Sequence, residues 1–353
     1  MRITLIHNPK AGDAEHGEKQ LMAALAKAGH HATYQSTKEP GLKKALKQPT
    51  DLVLAAGGDG TTAKIASRLV DSGIPLSVLP LGAANNLARA LGFVVSPEEI
   101  ITRLEGGKKR AFDVGLAHGP WGERYFFEAA GGGLLADYVQ AANREEKENR
   151  KIKHLSKEQE MSRHGALLHR MLDDYPARKW KIEIDGKDIS GRYILWEAMN
   201  IHSIGPALYL APGAGTRDGR FDFACARPPD AAVLAKHFEA RVAGKKSKSP
   251  LPARKFRELR VIWKGSTLHL DDKLWPEKKQ SGKASAEIRI TVKPSALIIL
   301  QPAAAIKTWA ANQNSALPGV RANGITSRMF GMPVTNISIR SNPRPKPECG
   351  TVP

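Results

Sequence analysis

A parallel α/β unit followed by an antiparallel β unit is the fold class this sequence predicts. Three observations predict it. Up to about residue 106, short apolar runs alternate with stretches whose apolar residues recur at three- and four-residue spacing; this is the pattern of strands joined by crossover helices. After about residue 108 the helical spacing gives way to short alternating strands separated by turns such as Asp185-Gly186, the pattern of an antiparallel sheet. Between them in character, residues 52–62 run from a buried strand into a glycine-rich corner that opens a helix.

The elements follow in order. Ile3, Leu5 and Ile6 form a strand that ends at Asn8-Pro9. Leu21, Met22, Leu25 and Ala28 place an amphipathic helix over 14–29, stopped by Gly29. A strand over 31–37, a short helix over 42–46 and a buried strand over 51–56 come next, then a helix over 61–72, a strand over 75–79 and helices over 85–91 and 97–106. In the second unit the strand-like segments are 110–116, 124–129, 179–184, 191–201, 221–226, 257–263, 266–270, 288–292 and 297–300. One helical insert over 134–172 interrupts them. Beyond about residue 306 the prolines, including Pro318, Pro333 and Pro343, and scattered Asn, Ser and Gly read as a loose extension. The expected division is 1–116, 117–305 and a tail, 306–353. Ile194, Trp196 and Met199 read as core.

Composition narrows the function classes. An apolar fraction of 41% rules out a wholly disordered chain. No apolar run approaches the roughly 18 residues of a membrane span, and the opening MRITLIHNPKAG reads as a first strand rather than a secretion signal. Two cysteines, Cys225 and Cys349, cannot build a disulfide framework or a zinc cluster, so a reducing cytoplasm is expected. The histidines lack the partner spacing of a transition-metal site. Fifty-four basic against 35 acidic side chains leave a net charge of +19, which suits nucleic acid, an anionic membrane face or phosphorylated small molecules. Residues 236–264 alone hold ten Lys or Arg against Glu239 and Glu258, with Phe238, Phe256 and Trp263 interleaved as candidate core. That block reads either as a solvated basic face or as a contact for phosphate or anionic lipid. No helix-turn-helix, zinc or single-strand motif accompanies the charge, so no nucleic-acid partner is expected.

The chemistry should lie at Gly57-Gly58-Asp59-Gly60-Thr61-Thr62. Glycines let a backbone approach a ligand closely, and the unpaired N–H groups of a helix start, with its dipole, attract phosphate. Thr61 and Thr62 can cap the helix or donate to a phosphate oxygen. Asp59 repels a bare anion and makes sense if magnesium or water lies between. Alternatively, this is a tight strand-to-helix turn with Asp59 as its N-cap. The pattern is neither a P-loop nor a dinucleotide fingerprint.

The Gly-Gly-Asp-Gly-Thr string resembles the nucleotide motif of the diacylglycerol kinase catalytic family, which includes bacterial lipid kinases and sphingosine kinases. Three more segments sharpen the resemblance: His7-Asn8-Pro9-Lys10-Ala11-Gly12, Pro80-Leu81-Gly82-Ala83-Ala84-Asn85-Asn86-Leu87-Ala88-Arg89, and Ala211-Pro212 followed by Asp218-Gly219-Arg220-Phe221-Asp222. They stand in family order and span roughly residues 1–300. The resemblance implies a nucleotide-binding α/β domain, then an antiparallel β-sandwich domain, with the active site in the cleft between them. It implies ATP and Mg²⁺ as cofactors, with Asn8, Gly12, Thr37, Gly57, Gly58, Asp59, Gly60, Thr61, Thr62, Ala63, Gly82 and Asn85 around the nucleotide. It further implies a structural Mg²⁺ on Asp218 with carbonyls such as those of Gly215 and Arg220; read alone, Asp218-Gly219 is simply a turn.

The departures carry as much information. Ala83 and Asn86 stand where the family has threonine and aspartate. In Leu270-Asp271-Asp272-Lys273, Lys273 stands where the family has the glutamate that takes the hydroxyl proton. A protonated lysine is no base at neutral pH unless burial lowers its pKa. Asp271 or Asp272 could serve instead, and phosphoryl transfer rests mainly on positioning and charge stabilisation. The implied function is an ATP-dependent kinase for a diacylglycerol-like or sphingoid-like lipid, in peripheral contact with an anionic membrane at its inner face. Two alternatives stay open: a catalytically impaired nucleotide- or lipid-binding relic of the fold, and a kinase for a soluble alcohol. A homodimer also stays open.

Overall fold

In the computed structural model the first strand, β1 (Arg2–His7), is buried except at its first residue. The described residues are 1–12, 16–148, 156–206, 208–243, 245, 247, 249–276 and 285–303; the tail expected from 306 onward lies outside them. After β1 come α1 (Glu18–Lys27), β2 (His31–Ser36), α2 (Leu42–Ala45), β3 (Leu52–Gly57), α3 (Asp59–Leu69), β4 (Leu76–Pro80), α4 (Asn86–Ala90) and α5 (Pro97–Thr102). The alternation read from the sequence is thus present, with shifted ends. The first helix starts at Glu18 because the Gln20 side chain accepts the N–H of Gly17 at 2.7 Å and turns the chain there. The corner helix starts at Asp59, two residues before the expected Thr61, because Gly58 is extended and its carbonyl takes the N–H of Thr62.

The remaining elements are β5 (Lys108–Gly119), β6 (Gly122–Phe126), β7 (Ala129–Gly133), α6 (Leu134–Glu148), α7 (Lys157–Leu172), β8 (Arg178–Ile184), β9 (Lys187–Asp188), β10 (Gly191–Tyr193), β11 (Leu195–Met199), β12 (Ser203–Ile204), β13 (Leu208–Tyr209) and β14 (Phe221–Ala226). They end with α8 (Ala231–Val242), β15 (Ala253–Phe256), β16 (Glu258–Trp263), β17 (Leu268–Leu270), β18 (Lys273–Trp275) and β19 (Ala286–Gln301). Two strands expected as single pieces are divided between sheets. Residues 124–129 break into β6 and β7 because the N–H groups of Phe127 and Glu128 turn to the Asp271 carboxylate. Residues 191–201 break at Ile194, whose N–H goes to Ala226 and whose carbonyl takes Leu134. Conversely 288–292 and 297–300 belong to one strand, β19, with an irregularity between Lys293 and Leu297.

β19 ties the molecule together. It pairs antiparallel with β16 and β5, and through Ile299 parallel with β4. One eleven-stranded sheet therefore runs β10-β8-β16-β19-β4-β3-β1-β2, parallel at the β2 end and antiparallel at the other, with β5, β6 and β9 attached. Ala296, Leu297, Ile299 and Leu300 join the core of the first unit. The antiparallel end faces a six-stranded sheet, β15-β14-β11-β7-β17-β18. Trp180, Ile182, Val261 and Trp263 from one sheet pack with Trp196, Phe221 and Leu268 from the other, which is a β-sandwich. The far face of the six-stranded sheet is covered by α6, α7 and α8 through Leu135, Leu167, Leu168, Leu234 and Phe238. Ile194, Trp196 and Met199 are core as expected, and so are Phe238, Phe256 and Trp263 of the basic block. The sequence pattern did not announce β7, whose Ala-Ala-Gly-Gly-Gly has poor strand propensity. Its glycines are required by crowding: a Cβ on Gly131 would run into Glu197 and one on Gly132 into the Trp180 ring.

Candidate active site

The parallel strands all point their C-terminal ends to one edge. The chain passes from β1 outward to β2 on one side and to β3 on the other. Such a reversal opens a crevice between the two central strands, where α/β sheets bind ligands. Asn8 bridges it: its N–H donates to the Ala56 carbonyl at 2.9 Å and its side-chain amide to Thr61 Oγ1 at 3.2 Å. Gly12 lies so close to the loop after β4 that a Cβ would stand 2.8 Å from the Leu81 carbonyl. Thr37, at the end of β2, donates its N–H to His7 at 2.7 Å.

The corner after β3 has two layers of glycine. A Cβ on Gly82 would stand 2.6 Å from the Gly58 Cα, so the two loops touch through backbone alone. Gly58 is the N-cap of α3, and no side chain caps that helix. Its first N–H groups therefore keep their capacity for an anion. The Thr62 hydroxyl is used internally, donating to the Gly58 carbonyl at 3.1 Å, and Ala63 is buried. Asn85, left-handed at φ 49°, accepts the Gly82 N–H and shapes the second loop. Asp59 does not cap its own helix. Its two oxygens accept the N–H groups of Asn86 and Leu87 at 3.0 and 3.1 Å and so cap α4.

Beside the corner lies a floor of four carboxyl groups. Glu128 is buried, 5% exposed. Burial, then the charges of Asp59, Asp271 and Asp272, push its pKa well up, and it shares a hydrogen bond with Asp59. Burial also raises Asp59, against the pull of the two N–H groups it accepts. Glu128 is thus the protonated donor and Asp59 the acceptor. The Asn86 amide reaches the Gly205 carbonyl at 2.9 Å and Glu128 at 3.4 Å; an aspartate there would add a fifth acid to the cluster. Asp271 accepts the N–H groups of Phe127, Glu128 and Ala129 at 3.0, 2.7 and 3.4 Å, although burial and Asp272 push it up to about 7. Asp272 lies directly against Gly60 at the glycine corner. Burial raises it, and neighbouring Lys273 opposes. Lys273 itself begins β18 and is exposed.

A second buried pair supports this turn. His269 and Glu197 are both 0% exposed, with Nε2 and Oε2 2.8 Å apart, while Nδ1 faces the Asp271 carbonyl at 3.1 Å. A carbonyl only accepts, so Nδ1 carries a proton. Burial lowers the imidazole pKa, but the Glu197 carboxyl outweighs it and the net direction is upward. The pair fixes the carbonyl of a residue held at φ 54°.

The four acids open into a cavity of about 250 Å³. Its other wall is mainly apolar: Leu135, Tyr138, Val139 and Ala142 from α6, Met161 from α7, and Ile204, with Asn143 and His164 beside them. Of the residues singled out from sequence, Asp59, Gly60, Ala83, Asn86, Asp271 and Asp272 line it. Glu128, Glu197 and His269 were missed. Each is a lone polar residue inside a short apolar run, in Phe126-Phe127-Glu128-Ala129, Leu195-Trp196-Glu197-Ala198 and Leu268-His269-Leu270, and that is the signal that could have found them. Gly215, Asp218 and Arg220 lie elsewhere, on the segment before β14. There Asp218 Oδ1 accepts the Arg220 N–H at 3.1 Å, and Oδ2 meets the Lys255 ammonium at 2.7 Å.

Residues 2–117 match the family model described as the diacylglycerol kinase catalytic domain. A diacylglycerol kinase of Bacillus subtilis (strain 168) is 31% identical over 234 residues, covering 63% of this chain and 72% of that protein. One of Staphylococcus aureus is 26% identical over 267 residues, covering 70% and 78%. A crystal structure of a diacylglycerol kinase from Bacillus anthracis superposes with a TM-score of 0.59 at 18% identity, covering 86% of this chain and 98% of that one, a likeness of fold.

Proposed function

This chain belongs to the diacylglycerol kinase catalytic-domain family, and from that premise we propose that it transfers the γ-phosphate of ATP to a hydroxyl of a diacylglycerol-like or sphingoid-like lipid. The observation that carries the proposal is the position of Asp272. It lies against Gly60 of the phosphate corner and lines the cavity whose far wall is mainly apolar. A phosphate donor and an amphiphilic alcohol would meet at that carboxylate.

The residues fit the nucleotide. The Gly58–Gly82 contact leaves backbone rather than side chains facing the ligand, and the uncapped start of α3 supplies N–H donors and a favourable dipole. Asn8, Gly12, Thr37, Gly57, Thr61 and Asn85 would frame the cradle. Mg²⁺ typically takes one or two carboxylates plus substrate phosphates, and Asp59 at the start of α3 would face it there, where its charge would offset that building on the phosphates. Asp272 takes the proton of the acceptor hydroxyl; burial raises its pKa above the ordinary carboxylate value, which makes it a stronger base than an exposed aspartate. Asp271, with three N–H groups on its carboxylate, acts by positioning the turn. Glu128, kept protonated, adds no further negative charge to the floor. The apolar wall of α6 would hold the lipid body. The exposed basic residues around Lys236, Arg254, Arg257 and Lys264 offer a contact for an anionic inner membrane face, and no helix among the described residues is long and apolar enough to cross a membrane.

Lys273 favours a second reading, a binding relic without transfer. One experiment separates the two: purified protein with labelled ATP and a panel of lipids in anionic or neutral vesicles. Label appearing in a lipid, more from anionic vesicles and less as salt rises, supports the proposal. ATP binding without label in any lipid supports the relic, and label in a water-soluble acceptor supports a soluble-alcohol kinase.

A further inference from the structure

The segment 211–220 carries a family expectation of a structural Mg²⁺, and its donor set can be tested against one. Lys255, on β15, stands opposite Asp222 of β14 in register. Its ammonium lies 2.7 Å from Asp218 Oδ2, 2.9 Å from Asp222 Oδ2 and 3.0 Å from the Gly213 carbonyl. An ammonium has three donors and no acceptor, so the three oxygens complete it. They are also the hard oxygen donors that suit Mg²⁺ or Ca²⁺. A divalent ion on Asp218 would have to share that carboxylate with a positive charge already in contact with it. Asp218 Oδ1 is occupied as well, by the Arg220 N–H.

We propose that the Lys255 ammonium is this chain's built-in replacement for the structural divalent cation. It ties Asp218 of the segment to the buried Asp222 and orders residues 213–222 without metal. Asp222 is only 3% exposed, and a buried carboxylate needs a paired cation. The rest of the segment is also held from within the chain. Asp113 accepts the Gly219 N–H at 2.7 Å through Oδ2 and the Ser295 N–H at 2.8 Å through Oδ1, while its own N–H donates to the Thr216 carbonyl at 2.8 Å. The inference is independent of the acceptor alcohol, and its test uses neither nucleotide nor lipid.

Thermal unfolding of the full chain is measured in EDTA and in millimolar MgCl₂ or CaCl₂, for the wild type, Lys255→Ala and Asp218→Asn. A ligand that binds the folded state raises its melting temperature. The wild type should melt at the same temperature in all three buffers. Lys255→Ala uncovers Asp218, Asp222 and the Gly213 carbonyl together. It should melt several degrees lower in EDTA and recover much of the loss when Mg²⁺ or Ca²⁺ is added. A fall on chelation in the wild type that Asp218→Asn abolishes would overturn the proposal. So would a folded Lys255→Ala protein indifferent to both cations, since the lysine would then be an ordinary ion pair. If Lys255→Ala yields folded protein only with a divalent cation present, the proposal gains its strongest support; if it never folds, the wild-type and Asp218→Asn comparison decides alone.

Discussion

The glycine corner and the carboxylate floor meet at Gly60, yet they are built by different means. The corner is local. Gly57 through Thr62 and Gly82 through Asn85 are two short loops whose work is done by backbone, so what matters is the absence of side chains. The floor is assembled from residues far apart in the chain: Asp59 from α3, Glu128 between β6 and β7, and Asp271 and Asp272 from the β17–β18 turn. Its work is done by buried side chains held with raised pKa values. Anion binding needs only correctly turned N–H groups, whereas proton transfer needs a carboxylate whose surroundings have been arranged.

That contrast can be broken most decisively at Asp272. Asp272→Asn should lower kcat by about 10²–10⁴-fold, the usual contribution of a general base, with ATP affinity by calorimetry little changed. Lys273→Ala should cost far less. Equal losses in the two variants would move the base away from Asp272 and erase the distinction between the floor and its rim.

The floor is sharpened by comparing Glu128→Gln with Glu128→Ala. Glutamine keeps a neutral donor toward Asp59, so urea unfolding should stay near the wild type. Alanine leaves a buried acceptor short of a partner and should cost about 1–3 kcal/mol. If both variants lose the same stability, Glu128 is ionised in the fold and the four-acid description is wrong.

The corner should respond differently. Gly82→Ala drives a methyl to 2.6 Å from the Gly58 Cα, and two backbone segments cannot both yield. Overpacking of this kind costs about 1–3 kcal/mol, so nucleotide affinity should fall about tenfold while KM for the lipid is unchanged. A loss confined to the lipid side would place the nucleotide elsewhere.

The smallest effect is in pH. Asp271 is raised from 3.8 to about 7 in the fold. A raised acid contributes stability that is fully present below its unfolded pKa and is lost as pH rises toward the folded one. Stability should therefore decline between about pH 4 and 7, and Asp271→Asn should flatten that part of the curve. Activity runs the other way: the raised Asp272 must be ionised to take a proton, so kcat/KM should fall on the acid side at a pH above the ordinary carboxylate range of about 4. A limb at or below that range would mean the floor is better solvated than its burial suggests.

Much of the corner was legible because its signals are contiguous. A buried strand, glycines and a helix start within eleven residues specify a strand-to-helix corner of bare backbone almost without reference to the remainder of the chain. The strand order was less legible. Leu297, Ile299 and Leu300 read as one more strand of the second unit, yet they extend the parallel sheet of the first, because β19 is long enough to belong to both. Asp59 was singled out for the nucleotide and its magnesium, and its task of capping α4 was hidden: the N–H groups it accepts are 27 and 28 residues away. Lys255 was only one of ten charges in a basic block until the register of β14 and β15 set it across from Asp222.

By itself the sequence determined the alternation of strands and helices, the glycine corner and the basic surplus, since each is a matter of residue type and short-range spacing. The tertiary structure decided which acid reaches the corner, which carboxyls are kept neutral and which cation Asp218 holds. Those outcomes depend on burial and on distances between segments brought together only when the sheets close, and no local pattern encodes the dielectric surroundings of a side chain.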